Sequence, residues 1–121
     1  MLIVDDQDCF RRAAQAIVSA TAGFEAAGES ASAEEAVEAA VQLRPDLVLV
    51  DVRMPGLDGF ETSRRIRAVL PDAVVVLVSA DPAPDPDQVE AAGAAAFVRK
   101  EALNRSMLQE LWQQQGSGRL E

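Results

Sequence analysis

Leu47-Val48-Leu49-Val50-Asp51 runs straight into Val52-Arg53-Met54-Pro55-Gly56-Leu57-Asp58-Gly59. The strand from Asp46 to Val50 has no polar residue on either alternating face once it is under way, so both faces must be covered, as at the centre of a parallel sheet packed between helices. Proline and glycine then end the strand, and Asp58 is positioned to cap a following helix that shows Phe60, Ile66, Val69 and Leu70 before Pro71. A carboxylate carried by a buried strand to its carboxyl end stands where open α/β sheets do their chemistry.

The same pattern repeats on either side. Leu2-Ile3-Val4 ends at Asp5-Asp6 and precedes a helical stretch from about Asp8 to Ala22, whose Phe10, Ala13, Ala14, Ile17 and Val18 form one apolar face. A weak strand from Phe24 to Glu29 leads to Ser32, an N-cap with Glu35 three residues on, and a helix through Leu43 that Pro45 stops. Val74 to Val78 is a second central strand, exiting at Ser79-Ala80-Asp81. Pro82, Pro84 and Pro86 confine the next helix to one or two turns between about Asp87 and Gly93. Ala94 to Arg99 forms a last strand ending at Lys100, and Ala102 to Gln115 a last helix with Leu103, Met107, Leu108, Leu111 and Trp112. Five βα units predict an α/β fold with a mainly parallel sheet.

The 121 residues suit one domain, with a fold over 1–115 and a linker or vector-derived tail over 116–121. A net charge of −9 is the wrong sign for collecting phosphate backbones, so no direct nucleic-acid binding is expected. One cysteine, Cys9, and no membrane-length apolar run or basic leader point to a soluble cytoplasmic chain with no membrane role. With no histidine anywhere, zinc sites and histidine-dependent nucleophilic triads are excluded, and Cys9 reads as a small residue early in a helix. Arg64, Arg65 and Arg67 read as a solvated helix face.

Parallel topology gathers Asp5, Asp6, Asp51, Ser79 and Lys100 on one rim. Taken singly, each has an ordinary reading: helix cap for the acidic pair, cap or turn former for Asp51, turn former for Ser79, core for Phe97. Together, crowded carboxylates call for a cation such as Mg²⁺, which takes oxygen ligands, and leave one carboxylate able to attack a phosphoryl group. Lys100, the only lysine beside ten arginines, offers a compact counter-charge to phosphoryl oxygens.

In this order and at these spacings, Ile3-Val4-Asp5-Asp6, Leu49 to Gly59, Val78-Ser79-Ala80, Gly93 and Phe97-Val98-Arg99-Lys100 resemble the receiver domain of two-component response regulators over nearly the whole chain. The loop Arg53-Met54-Pro55-Gly56 and the acidic Glu101 are similar to receivers of the NarL/LuxR type, whose outputs are helix-turn-helix domains. The resemblance implies a flavodoxin-like (βα)5 doubly wound fold of strand order 2-1-3-4-5, and a phosphorelay function rather than an enzyme acting on other molecules. It implies Asp51 as phosphoacceptor from a sensor histidine kinase or phosphotransfer protein, and Mg²⁺ held by Asp5, Asp6, Asp51 and the Arg53 backbone carbonyl. Ser79, Ala80, Lys100 and Phe97 become phosphoryl-binding and switch residues, with homodimerisation as one outcome and transcription through an output domain as the use. Arg53 and Asp81, each two residues past a site residue, are expected to tune the phosphoryl lifetime by pairing across the pocket. The first helix, exposing Arg11, Arg12 and Gln15, is expected to dock the kinase. Rival readings are an unphosphorylated interaction domain and a phosphohydrolase; the latter needs a second acid two residues past the nucleophile, where Arg53 stands.

Overall fold

In the computed structural model, residues 1–54, 58–80 and 84–119 are described, with side chains as far as 113. Five strands form one parallel sheet in the order β2-β1-β3-β4-β5: β1 Leu2–Val4, β2 Gly28–Ser30, β3 Leu47–Asp51, β4 Val74–Ser79 and β5 Ala96–Arg99. Helices follow each strand: α1 Asp8–Ser19, α2 Ala33–Leu43, α3 Gly59–Val69, α4 Pro86–Ala91 and α5 Arg105–Arg119. This is the doubly wound order expected from the sequence.

Side-chain alternation along the central strands divides the interior in two. Ile3, Leu49, Val76 and Val98 pack with Ala14, Val18, Leu108 and Leu111 of α1 and α5. Val4, Val48, Val50 and Leu77 pack with Ala36, Ala40, Ile66 and Ala92 on the α2–α4 face. Every residue of β3 and β4 is therefore buried, Asp51 and Ser79 included. The two cores are what carry polar strand ends out of bulk water.

Helix starts follow the capping chemistry. Ser32 Oγ accepts from Glu35 N at 3.2 Å, and Asp58 Oδ1 accepts from Glu61 N at 2.8 Å, as expected. Gly59 has a stronger constraint, because a Cβ there would lie 2.3 Å from the Asp51 carbonyl oxygen. Only glycine lets α3 start this close to the end of β3.

Several boundaries differ from expectation. α1 stops at Ser19 rather than Ala22: the Thr21 hydroxyl donates to Ile17 O at 2.6 Å, and Gly23 follows at φ 85°. On its buried stripe Arg11 replaces Ala13, which is exposed. β2 is only Gly28–Ser30, the residues that pair with β1; Phe24 and Ala26 instead pack against the core ahead of it. β3 is shifted by one residue, from Asp46–Val50 to Leu47–Asp51, and β5 shrinks to Ala96–Arg99. The last helix starts at Arg105, not Ala102, because Lys100–Ala102 forms a 3-10 turn and Asn104 Oδ1 accepts from Met107 N at 2.8 Å. α5 then continues to Arg119, past Gln115. The short fourth helix has no buried residue and stops before Gly93, at φ 72°.

Leu49, fully buried between α1, α5 and the sheet, should cost about 2–5 kcal/mol when cut to alanine. Val41, 51% exposed on α2, should cost no more than about 0.5 kcal/mol. Urea unfolding of L49A and V41A measures both, and equal losses would contradict the two-layer packing.

Candidate functional site

Each expected rim residue leaves the sheet at its carboxyl edge. β1 delivers Asp5, β3 delivers Asp51, β4 delivers Ser79, and the turn after β5 delivers Lys100. Register places Val4 beside Val50, Asp51 beside Val78 and Ser79 beside Arg99, so the exits are level. Asp5, Asp6 and Asp51 each offer a carboxylate oxygen, all within 4.8 Å of one another. Asp5 and Asp51 are buried, at 0% and 4% exposure, while Asp6 is exposed.

Lys100 supplies the compensating charge. Its ammonium stands 2.6 Å from Asp5 Oδ2 and 3.4 Å from Asp51 Oδ2, and donates to Gln7 Oε1 at 3.1 Å. The Phe10 ring lies 4.6 Å below it, in cation–π range. Backbone donors hold the other carboxylate oxygens: Gln7 N reaches Asp5 Oδ1 at 2.8 Å, and Arg53 N reaches Asp51 Oδ1 at 3.1 Å. Asp5 Oδ2 is fully buried and, despite the close ammonium, receives no donor in hydrogen-bond geometry. An ion pair without a directed hydrogen bond leaves that oxygen with coordinating capacity to spare.

Burial pushes the Asp51 carboxyl above the ordinary carboxylate range, and the charge of Asp5 adds to the rise. The Arg53 N–H and Lys100 act against it without cancelling it. Three hard oxygen donors, one of them under-satisfied, and a carboxylate reluctant to ionise make a cluster whose chemistry fits a small divalent cation such as Mg²⁺.

Among the other expected residues, Ser79 is buried, Ala80 is exposed at the end of β4, and Phe97 is half-buried against the α2–α4 core. Arg53 is exposed beside Asp51. Asp81, and with it any pairing across the pocket, lies outside the described residues, as do Pro55, Gly56, Leu57 and Pro82. Arg64 and Arg65 both pair with Glu61 on the exposed face of α3, as expected, whereas Arg67 is half-buried and donates to the Pro71 and Ala73 carbonyls rather than joining a solvated face. Cys9 is exposed in α1.

The exposed docking role expected for Arg11 is overturned. Arg11 is 8% exposed and bonded to the Asp5 carbonyl, while Gln15 is half-buried and bonded to Glu29, so only Arg12 of that trio is presented to solvent. Sequence reasoning also missed Gln7 and Phe10 as site residues. The one legible signal was spacing: Arg11, Ala14 and Val18 fall at i, i+3 and i+7, a buried stripe that a charged residue had seemed to disqualify.

Residues 1–112 match the family model of the response regulator receiver domain. The response regulator GacA of Pseudomonas viridiflava is 36% identical over 110 residues, which are 90% of this chain and 51% of that one. The chain thus spans about half the length of the curated relatives it matches. Among solved structures, the response regulator domain of Thermotoga maritima CheB superposes with a TM-score of 0.81 at 25% identity, covering 95% of this chain and 94% of that one. The receiver domain of NarL from Mycobacterium tuberculosis gives a TM-score of 0.80 at 28% identity, with the same coverages.

A raised folded-state pKa means that the native protein holds the Asp51 proton to higher pH than the unfolded chain does. The resulting stabilisation is present below the unfolded pKa and is lost as pH rises through the folded value. Asp51→Asn, neutral throughout, should therefore raise the melting temperature of the metal-free protein at pH 7. The gain should shrink as pH falls toward the ordinary aspartate pKa, about 4. Thermal unfolding across that range measures it, and a loss at pH 7 would contradict the burial argument.

Proposed function

The chain belongs to the response regulator receiver domain family, and from that membership we propose that it is a phosphorylation-dependent switch whose phosphoacceptor is Asp51. The observation that carries the reading is the setting of Asp51: a buried carboxylate at the exit of β3, with Asp5 and Asp6 on one side and the Lys100 ammonium on the other. The donor is a phosphohistidine of a sensor histidine kinase or phosphotransfer protein. An oxygen of Asp51 attacks phosphorus, the P–N bond to imidazole breaks, and the imidazole nitrogen takes a proton from solvent.

Asp5, Asp6, Asp51 and the Arg53 backbone carbonyl would hold Mg²⁺. Bound there, it offsets negative charge on the nucleophile and the transferring oxygens. Lys100, already beside Asp51, has only to turn its ammonium from Asp5 toward a phosphoryl oxygen. Ser79 lies buried at the adjacent strand exit, within the same rim, and its hydroxyl is the donor for the phosphoryl group. Ala80 leaves the incoming group room. Phe97, on β5 three residues before Lys100, has no hydroxyl to hold an outward state by hydrogen bonding, so its reorientation is read through packing against the α2–α4 core. The altered surface then changes dimerisation or partner binding, and in a longer protein controls transcription through an output domain.

A hydrolytic reading has less support. A phosphohydrolase using an aspartyl phosphate needs an acid two residues past the nucleophile, and here Arg53 occupies that place with its side chain exposed.

Incubation with Mg²⁺ and a small phosphodonor should add one phosphoryl group by intact mass, and Asp51→Asn should abolish the gain. Mass addition that survives D51N, or none in the wild type, overturns the assignment. Arg53 is assigned the shielding of the phosphoryl group from water, so Arg53→Ala should shorten its lifetime several-fold in a phosphate-release assay. An unchanged lifetime removes the shielding role.

A further inference from the structure

Arg11 is a buried charged residue at the start of α1, and a guanidinium is taken out of water only when its donors are matched. Nη1 donates to the Asp5 carbonyl oxygen at 2.5 Å, Nη2 pairs with Asp8, and Nε donates to Glu29 Oε1 at 3.4 Å. Glu29 is itself held by Gln15. The planar fork thus ties α1 and β2 to the exit of β1.

The acceptor at that exit matters most. The Asp5 carbonyl belongs to the Asp5–Asp6 peptide, whose plane sets where the Asp6 backbone, and so its carboxylate, leaves the strand. Asp5 is gripped at its remaining polar atoms too: its N–H donates to Ser30 O at 3.0 Å, Oδ1 accepts from Gln7 N, and Oδ2 faces Lys100. Asp6, by contrast, is exposed and inherits its direction from the peptide before it.

We propose that Arg11 is a positioning residue for the acidic site: by holding the Asp5 carbonyl against α1 and β2, it aims the Asp5–Asp6 pair at a shared divalent cation. The inference rests on the Mg²⁺ reading of the site. It has a sign that a purely electrostatic role lacks. A cation this near repels Mg²⁺, so removing its charge should tighten metal binding if charge were all that mattered; removing a support that orients ligands weakens binding, typically tenfold or more.

Isothermal titration with Mg²⁺ tests this on the chain as it is. The wild type should bind Mg²⁺ and Asp6→Asn should bind it far more weakly; failure of that pair rejects the site reading itself, not the role of Arg11. Given that pair, Arg11→Met should raise the dissociation constant about tenfold. Amide hydrogen exchange in the metal-free protein should show faster exchange at Asp5, whose N–H donates to Ser30 O at this strand exit, a readout independent of metal. Arg11→Lys keeps the charge and loses the fork, and should bind Mg²⁺ several-fold more weakly than wild type, which keeps the test open if Arg11→Met does not fold. Unchanged or tighter Mg²⁺ binding in either folded variant overturns the proposal.

Discussion

Two carboxylates held almost entirely out of water are the constraint around which the rest of this molecule is arranged. Asp5 and Asp51 cannot both be buried and ionised without a cation, and among the described residues the one that touches both is Lys100. That cation comes from β5, three strand spacings from β1 in the sheet order, or about 14 Å at the usual separation. The 3-10 turn that follows the strand at once, the long unbranched lysine side chain and the Asp5 carboxylate reaching toward it together span that interval. Strand order, the position of the last turn and the choice of lysine are thus coupled through one ion-pair network.

The same network explains why the start of α1 is more than a connector. Gln7 meets both Asp5 and Lys100, Phe10 supplies an aromatic face under the ammonium, and Arg11 holds the backbone from which Asp6 projects. Gln7 is the N-cap of α1, and Phe10 and Arg11 lie in its opening turn, so the docking of α1 against β1 sets cation and anion positions together. Gly59 does the corresponding service on the other side, allowing α3 to begin against the Asp51 carbonyl with no side chain between.

Legibility in the sequence follows burial. β3 and β4 are covered on both faces, and a strand in that position must be continuously apolar, which is why Leu47–Asp51 and Val74–Ser79 could be placed to within a residue. β2, at the sheet edge, is Gly-Glu-Ser; hydrophobic patterning has nothing to register there, and the strand exists because β1 offers it a partner. Ala102 and Leu103 carry helical periodicity, yet the chain at Lys100–Ala102 is tightened into a 3-10 turn and α5 begins only at Arg105, where Asn104 caps it. The carboxylates and the lysine were legible because topology alone sends strand exits to one edge. Gln7, Phe10 and Arg11 were not, because their roles depend on how a helix rotates as it packs, and a buried arginine contradicts the expectation that charge marks the solvent side.

The asymmetry between the two acidic neighbours follows from that packing. Asp5 is fully buried, with its N–H, its carbonyl and Oδ1 hydrogen-bonded and Oδ2 facing the Lys100 ammonium without a directed hydrogen bond. Asp6 is exposed and can respond to an incoming ion at little desolvation cost. The cluster thus combines a carboxylate fixed by the fold, one open to solvent, and Asp51, whose pKa burial and the charge of Asp5 raise while the Arg53 N–H and Lys100 act against the rise.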